Sequence, residues 1–268
     1  MVLSDWVAAK AVEHGLAVRV STTGQRTAQL ACVLSGRPPF VDLFSGPLLP
    51  AFRAMIPTST KTSTTYPKRE GVVLPGRDGV LSFHGVLKHA ALDAYLPGAT
   101  ARVLRDLLDP VLRAGALRRG LVLRCATCAE VQFQPLGQIV QSWSCHRCAA
   151  ANALDSAAWH QPAAEPTWFY DLHPIARQLL RDNGEVPAQL VAFLAAPQYD
   201  DGRGFHHVEG LELLAGGRSE VELDLVVYHD DRLTIAECKS TDRLAPGKQA
   251  RDEPRRSAGP PPGSTPTA

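Results

Sequence analysis

The sequence predicts a mixed α+β protein, on three observations. Apolar residues recur at helical spacing through much of the first 115 residues. Two Cys-x2-Cys pairs follow, with sixteen residues between them. Beyond these lie three closely spaced β-patterned segments joined by short polar turns. With 268 residues, 45% of them hydrophobic, the chain has room for about two domains and a real core.

Taken in order, Asp5 is placed to cap a helix that runs to about His14 and ends at Gly15. Leu16–Val20 then reads as a short strand, and Thr27–Leu34 and Leu43–Met55 read as helices. Residues 57–69 form a polar Ser/Thr-rich loop. Helical pattern returns at 84–96 and again after Thr100, a plausible cap. Asp109-Pro110 is expected to restart it, with Pro at a first helical position. Leu117–Arg124 is a strand that leads straight into the first cysteine pair. The run of helices ending in this strand has the order of a winged helix. Residues 152–166 read as a linker, and 168–193 mix aromatic and helical pattern, with Ile175, Leu179 and Leu180 on one stripe. Strands are expected at about 205–214, 221–228 and 232–238.

Composition narrows the setting. Arg outnumbers Lys 22 to 6, a bias typical of GC-rich bacterial coding. Residues 1–120 carry 15 Lys/Arg against 8 Asp/Glu, and residues 121–268 carry 13 against 19. A basic front half suits a polyanionic partner. No apolar run is long enough to span a membrane, and charges interrupt the first fifteen residues where a secretory leader would be apolar. A cytoplasmic protein with reduced thiols is therefore expected, and its paired cysteines point to metal rather than to disulfides.

Cys125, Cys128, Cys145 and Cys148 are the expected ligands of one structural Zn2+. Each pair forms a turn that aims two sulfurs at one point, and four thiolates close a tetrahedral site with no open position. The spacer is expected to form a hairpin, with Val131–Phe133, a turn near Pro135–Gly137 and Ile139–Trp143. His146, inside the second turn, is an alternative donor expected to point outward.

The second signal spans Val221 to Lys239. Strand side chains alternate, so Glu237 and Lys239 share a face, with Ala236 and Cys238 on the other. A tight turn at His229–Arg232 brings Asp224 alongside them. Two converging carboxylates suit a hard cation, and an ammonium group beside them can offset charge or orient water. The bland alternative is a solvated hairpin whose charged face meets only water. Cys238 reads most simply as a small buried residue.

This arrangement, over about residues 170–245, resembles the PD-(D/E)xK (restriction-endonuclease-like) nuclease superfamily, with an acid on one strand and Glu-x-Lys on the next. The proline of the name is absent, since Leu223 precedes Asp224. The resemblance implies that Asp224 and Glu237 bind Mg2+ or Mn2+, with the Cys238 carbonyl as a further ligand and Lys239 as the catalytic lysine. It also implies an upstream acid, for which Glu185, Glu209, Glu212 and Glu222 are candidates. In that family a helix and a further strand follow Glu-x-Lys. Here Thr241–Asp252 could begin the helix, and the composition then collapses to Pro, Gly and Ser, so a truncated or frameshifted nuclease is expected.

The domains read as a basic, mainly helical part over 1–118, a zinc ribbon over 119–152, a partial three-stranded nuclease-like core over 167–250 and a disordered tail over 251–268. The expected activity is hydrolysis of phosphodiester bonds, most readily in DNA, with protein partners or a homo-oligomer also open. The alternative is a non-catalytic nucleic-acid-binding or adaptor protein with a degenerate core. Three other motifs carry less. His206 and His207 point to opposite strand faces, His84 and His89 have poor ligand spacing, and Ser21-Thr22-Thr23-Gly24 lacks the rest of a phosphate loop.

Overall fold

The computed structural model describes residues 2–56, 70–76, 78–159, 165–195, 205–229 and 232–239. The chain opens with α1 (Leu3–Glu13), β1 (Ala17–Val20), α2 (Thr22–Val33), α3 (Arg37–Ser45) and α4 (Leu49–Ala54). Next come β2 (Gly71–Val73), β3 (Gly79–Ser82), α5 (Phe83–His89), α6 (Leu92–Tyr95) and α7 (Ala101–Arg113). The middle holds β4 (Leu117–Arg124), β5 (Val131–Pro135), β6 (Ser142–Ser144), β7 (Ala151–Ala153) and β8 (Phe169–Leu172). Last are α8 (Pro174–Arg181), α9 (Val186–Ala195), β9 (His206–Ala215), β10 (Arg218–His229) and β11 (Arg232–Ala236). The class is α+β. No helix among the described residues is long and apolar enough to cross a membrane.

Contacts divide the chain into two compact units, residues 28–182 and residues 1–27 joined with those from 183 onward. This differs from the four consecutive segments expected from sequence. The reason is pairing: β1 adds to the edge of the C-terminal sheet, whose order is β1-β9-β10-β11, all antiparallel. The three expected strands thus become four. Val7 of α1 packs with Val208, Leu211, Leu223 and Val226, with Trp6 and Val18 partly buried against them. Without that sheet, α1 would have nowhere to bury its apolar stripe.

The start of α2 is locked to β9 by close backbone contact. Ser21 N–H donates to the Gly210 carbonyl at 2.8 Å, and Gly24 N–H donates to the Ser21 hydroxyl at 3.1 Å. A Cβ on Gly24 would lie 2.3 Å from the Gly210 oxygen. Ser21 is therefore a buried helix cap, and Gly24 is there for approach rather than for phosphate.

The 28–182 unit holds an antiparallel sheet of order β2-β3-β8-β4-β5. Val72, Val80, Val122, Phe133 and Phe169 form one core cluster of this unit. Phe40, Phe44, Phe52, Leu104 and Leu108 are fully buried on its helices. Two local expectations change. Gly46-Pro47 splits the expected Leu43–Met55 helix, and Pro110 lies inside α7 instead of restarting it. An interior proline costs about 3 kcal/mol, but burial of Leu104, Leu108 and Val111 on either side of it outweighs that. β4 is no wing: it lies between β5 and β8 inside the sheet.

Buried Arg177 on α8 ties this unit together. Its guanidinium donates to the Met55 carbonyl at 2.9 Å, to the Gly79 carbonyl at 3.2 Å and to Asp171. Nothing in the helical pattern announced it. The expected loop over 57–69, part of the linker, the helix after Thr241 and the 251–268 tail lie outside the described residues.

Candidate metal centre and acidic hairpin

The four cysteines converge. Their sulfurs all lie within 4.8 Å of one another, with Cys125 and Cys148 3.7 Å apart and Cys128 and Cys145 3.6 Å apart. A tetrahedron of thiolates about 2.3 Å from a central zinc has edges of about 3.8 Å, and these two sulfur pairs already stand close to that spacing. Buried Cys125 and Cys145 pack with Leu121, Leu123 and Trp143, with Trp159 partly buried against them. His146 is exposed and outside the cluster, as expected.

The two turns are built alike. Cys125 N–H donates to the Glu130 carbonyl and Ala129 N–H to the Cys125 carbonyl. Cys145 N–H donates to Ala150 and Ala149 N–H to Cys145 in the same way. Ala129 and Ala149 both take the left-handed conformation, at φ 59° and 58°. That costs each alanine roughly 1–2 kcal/mol, a strain tolerable where the turn is held at its sulfurs. The expected spacer hairpin is not formed. β5 pairs with β4 and β6 with β7, so each cysteine turn caps its own hairpin and the spacer crosses between them.

Charge makes the same point. The Cys128 backbone N–H draws the Cys125 thiol down to about 6. Cys128 is pushed up to about 12, because burial and the neighbouring sulfurs outweigh the Glu130 N–H that favours its thiolate. Four thiolates at this spacing repel each other, and only a cation at their centre lets all of them ionise.

Two buried side chains link the hairpins reciprocally. Asn152, after the second turn, accepts Ala126 N–H of the first at 2.8 Å. Gln132, after the first turn, accepts His146 N–H of the second at 3.0 Å. Each holds the backbone next to a cysteine of the opposite turn. Sequence reasoning missed both, although the signal was present: each amide lies four residues after the last cysteine of its pair.

The second expected site lies on β10 and the residues just after β11. The ladder ends at Leu225 and Ala236, so Glu237, Cys238 and Lys239 follow β11 outside it rather than continuing the expected strand to 238. Glu237 still lies close enough to Asp224 to act on its charge. Cys238 N–H donates to Asp224 Oδ2 at 2.7 Å, and Lys239 forms an ion pair with Glu237. Asp224 is partly buried, whereas Glu237 and Lys239 are exposed. Burial raises the Asp224 carboxyl above its usual value and Glu237 adds to this, while the Cys238 N–H and Lys239 oppose it. Burial, with Asp224 and Glu237, pushes the Cys238 thiol up to about 12.

No third His, Cys, Asp or Glu among the described residues is close enough to share an ion with this pair. Glu212 pairs with Arg19 of β1, buried Glu209 bonds His207 at 2.9 Å, Glu222 is exposed opposite Glu212, and Glu185 is buried just before α9. Comparison with protein-family models, with curated proteins and with solved structures gives no match for this chain.

Proposed function

We propose that the protein is a divalent-metal-dependent nuclease, acting most readily on DNA, whose cysteine turns hold one structural Zn2+. The observation that carries the nuclease reading is half-buried Asp224 on β10, bonded by Cys238 N–H and close to Glu237 just past β11, with Lys239 ion-paired to Glu237. Asp224 and Glu237, with the Cys238 carbonyl, are the oxygen donors for Mg2+ or Mn2+. Mg2+ uses one or two protein carboxylates and keeps several waters, which fits a pair without a third acid. When bound it supplies Lewis acidity toward a phosphate and lowers the pKa of bound water. The chain's own residues divide the remaining work. Cys238 N–H orients Asp224, burial raises its proton affinity until a cation offsets it, and Lys239 stands ready to orient water or balance negative charge.

The test is cleavage of labelled single- and double-stranded DNA and RNA with Mg2+, Mn2+ or chelator. Asp224→Asn, Glu237→Gln and Lys239→Ala should each reduce metal-dependent cleavage by at least about 10²-fold without unfolding the protein. Cleavage that survives all three substitutions removes the assignment. The lack of a third acid beside this pair among the described residues favours a second reading, a non-catalytic nucleic-acid-binding or adaptor protein, which would bind nucleic acid with a salt-dependent affinity and never cut it.

A further inference from the structure

A groove of about 800 Å³ runs across the 28–182 unit between the second cysteine turn, β8 and α8. It belongs to neither site described above. Its floor is the ion network around Asp171. That carboxylate takes Arg118 on one oxygen and buried Arg177 on the other, and Asp78 takes Arg181 and Arg177. Three guanidiniums thus share two carboxylates. On the opposite wall Arg147, within the cysteine turn, is held by Glu130 at 2.7 Å.

Arg177 is spent on the fold, since its hydrogen bonds go to two backbone carbonyls and Asp171. Arg118, Arg181 and Arg147 differ. Each is bonded to a carboxylate through one amino group only, and its other amino group has no protein acceptor among the described residues. Their side chains are 35%, 41% and 67% exposed, so those edges are open to a ligand. A guanidinium fixed by a carboxylate on one edge presents the other with little further entropy loss, which suits planar contact with phosphate oxygens. The unit is also the basic one, with 16 Lys/Arg against 11 Asp/Glu over residues 28–182. A net positive charge in the sequence of this unit favours a polyanionic partner.

We infer that this groove is a phosphate-backbone tract, in which Arg118, Arg147 and Arg181 grip a nucleic-acid strand separately from the Asp224–Glu237 pair. The inference rests on the nucleic-acid reading above and adds where the strand is held. Guanidinium contacts to phosphate carry no sequence information, so the affinity they supply is strongly salt-dependent and weakly sequence-dependent.

The experiment measures binding of fluorescein-labelled single-stranded and duplex DNA to the zinc-loaded Asp224→Asn protein, with no Mg2+ or Mn2+ and no chelator, across a salt series. Arg147→Ala with Arg181→Ala should weaken binding at least about tenfold and flatten the log–log salt slope by about 1–2. The Lys pair at the same positions should keep most of the affinity. Circular dichroism on each variant checks that the fold is retained, and both arginines are exposed enough to replace. Unchanged affinity in a folded Ala/Ala variant overturns the tract, as does equal competition by an acidic peptide, which would make the groove a protein-docking site. Cleavage lost in Asp224→Asn with binding intact keeps the two readings apart. A parent that cuts while its Ala/Ala variant binds as before leaves the nuclease standing and removes the groove.

Discussion

Gln132 and Asn152 each hold an N–H of the opposite cysteine turn from a buried position, so their loss should be felt at the metal. Gln132→Leu is expected to weaken zinc binding about 10- to 100-fold in a chelator competition, the usual cost of removing a group that orients ligands. Full affinity in that variant would show that the turns need no clasp. Asp224 gives a prediction with a sign. Its carboxyl is raised in the fold, so its contribution to stability is complete below the unfolded value of about 3.9 and is lost as pH rises through the folded value. Asp224→Asn keeps the acceptor for Cys238 N–H and removes the charge. At pH 7 without divalent cations its melting midpoint should exceed the parent's, with the gap closing below about pH 4. Mg2+ should raise the parent's midpoint and leave the variant's alone. The convergence of the four cysteines and the closeness of Asp224 to Glu237 were legible because turns and hairpins are local. Arg177 and Asp171 were not, since a buried ion pair is identified by what surrounds it and no spacing encodes that.

Elements formed where period and turn chemistry agreed. β9, β10 and β11 lie within a few residues of their expected places, and Leu117–Arg124 is a strand as read. Two misreadings occurred where packing overruled local preference, Pro110 inside α7 and the spacer that joins two hairpins instead of forming one, whereas the helix divided at Gly46-Pro47 obeys a local break signal. The contact between α2 and β9 yields a test at this scale. Gly24→Ala puts a methyl group 2.3 Å from a backbone oxygen, with no flexible side chain to give way. It should cost roughly 1–3 kcal/mol in urea unfolding. Gly137, with nothing within 4 Å, is the matched control, and its Ala variant should stay within about 0.5 kcal/mol of the parent.

For the molecule as a whole, the cysteine site and the sheet are linked through β4, which belongs to the five-stranded sheet and also runs into Cys125. Structural zinc contributes roughly 10–16 kcal/mol in small sites, so chelation should loosen more than the turns. Hydrogen exchange should rise over β4 to β7. Tryptophan emission should shift red as Trp143 and Trp159 lose their packing beside the sulfurs. Peptides over β9 and β10, in the other unit, should keep their protection. Zinc removal without any change over β4–β7 would make the ion incidental to the fold.

By itself the sequence determined the α+β class, the four sulfur ligands and the acidic hairpin, because each depends on residues close in the chain whose spacing dictates a turn or a strand face. Only the tertiary structure decided that β1 joins β9, that β8 enters between β3 and β4, that two amides clasp the cysteine turns crosswise, and that three arginines line one groove. Those outcomes depend on which apolar faces find each other and which buried polar groups must be paired. Such choices are made among distant segments, where local pattern carries no information.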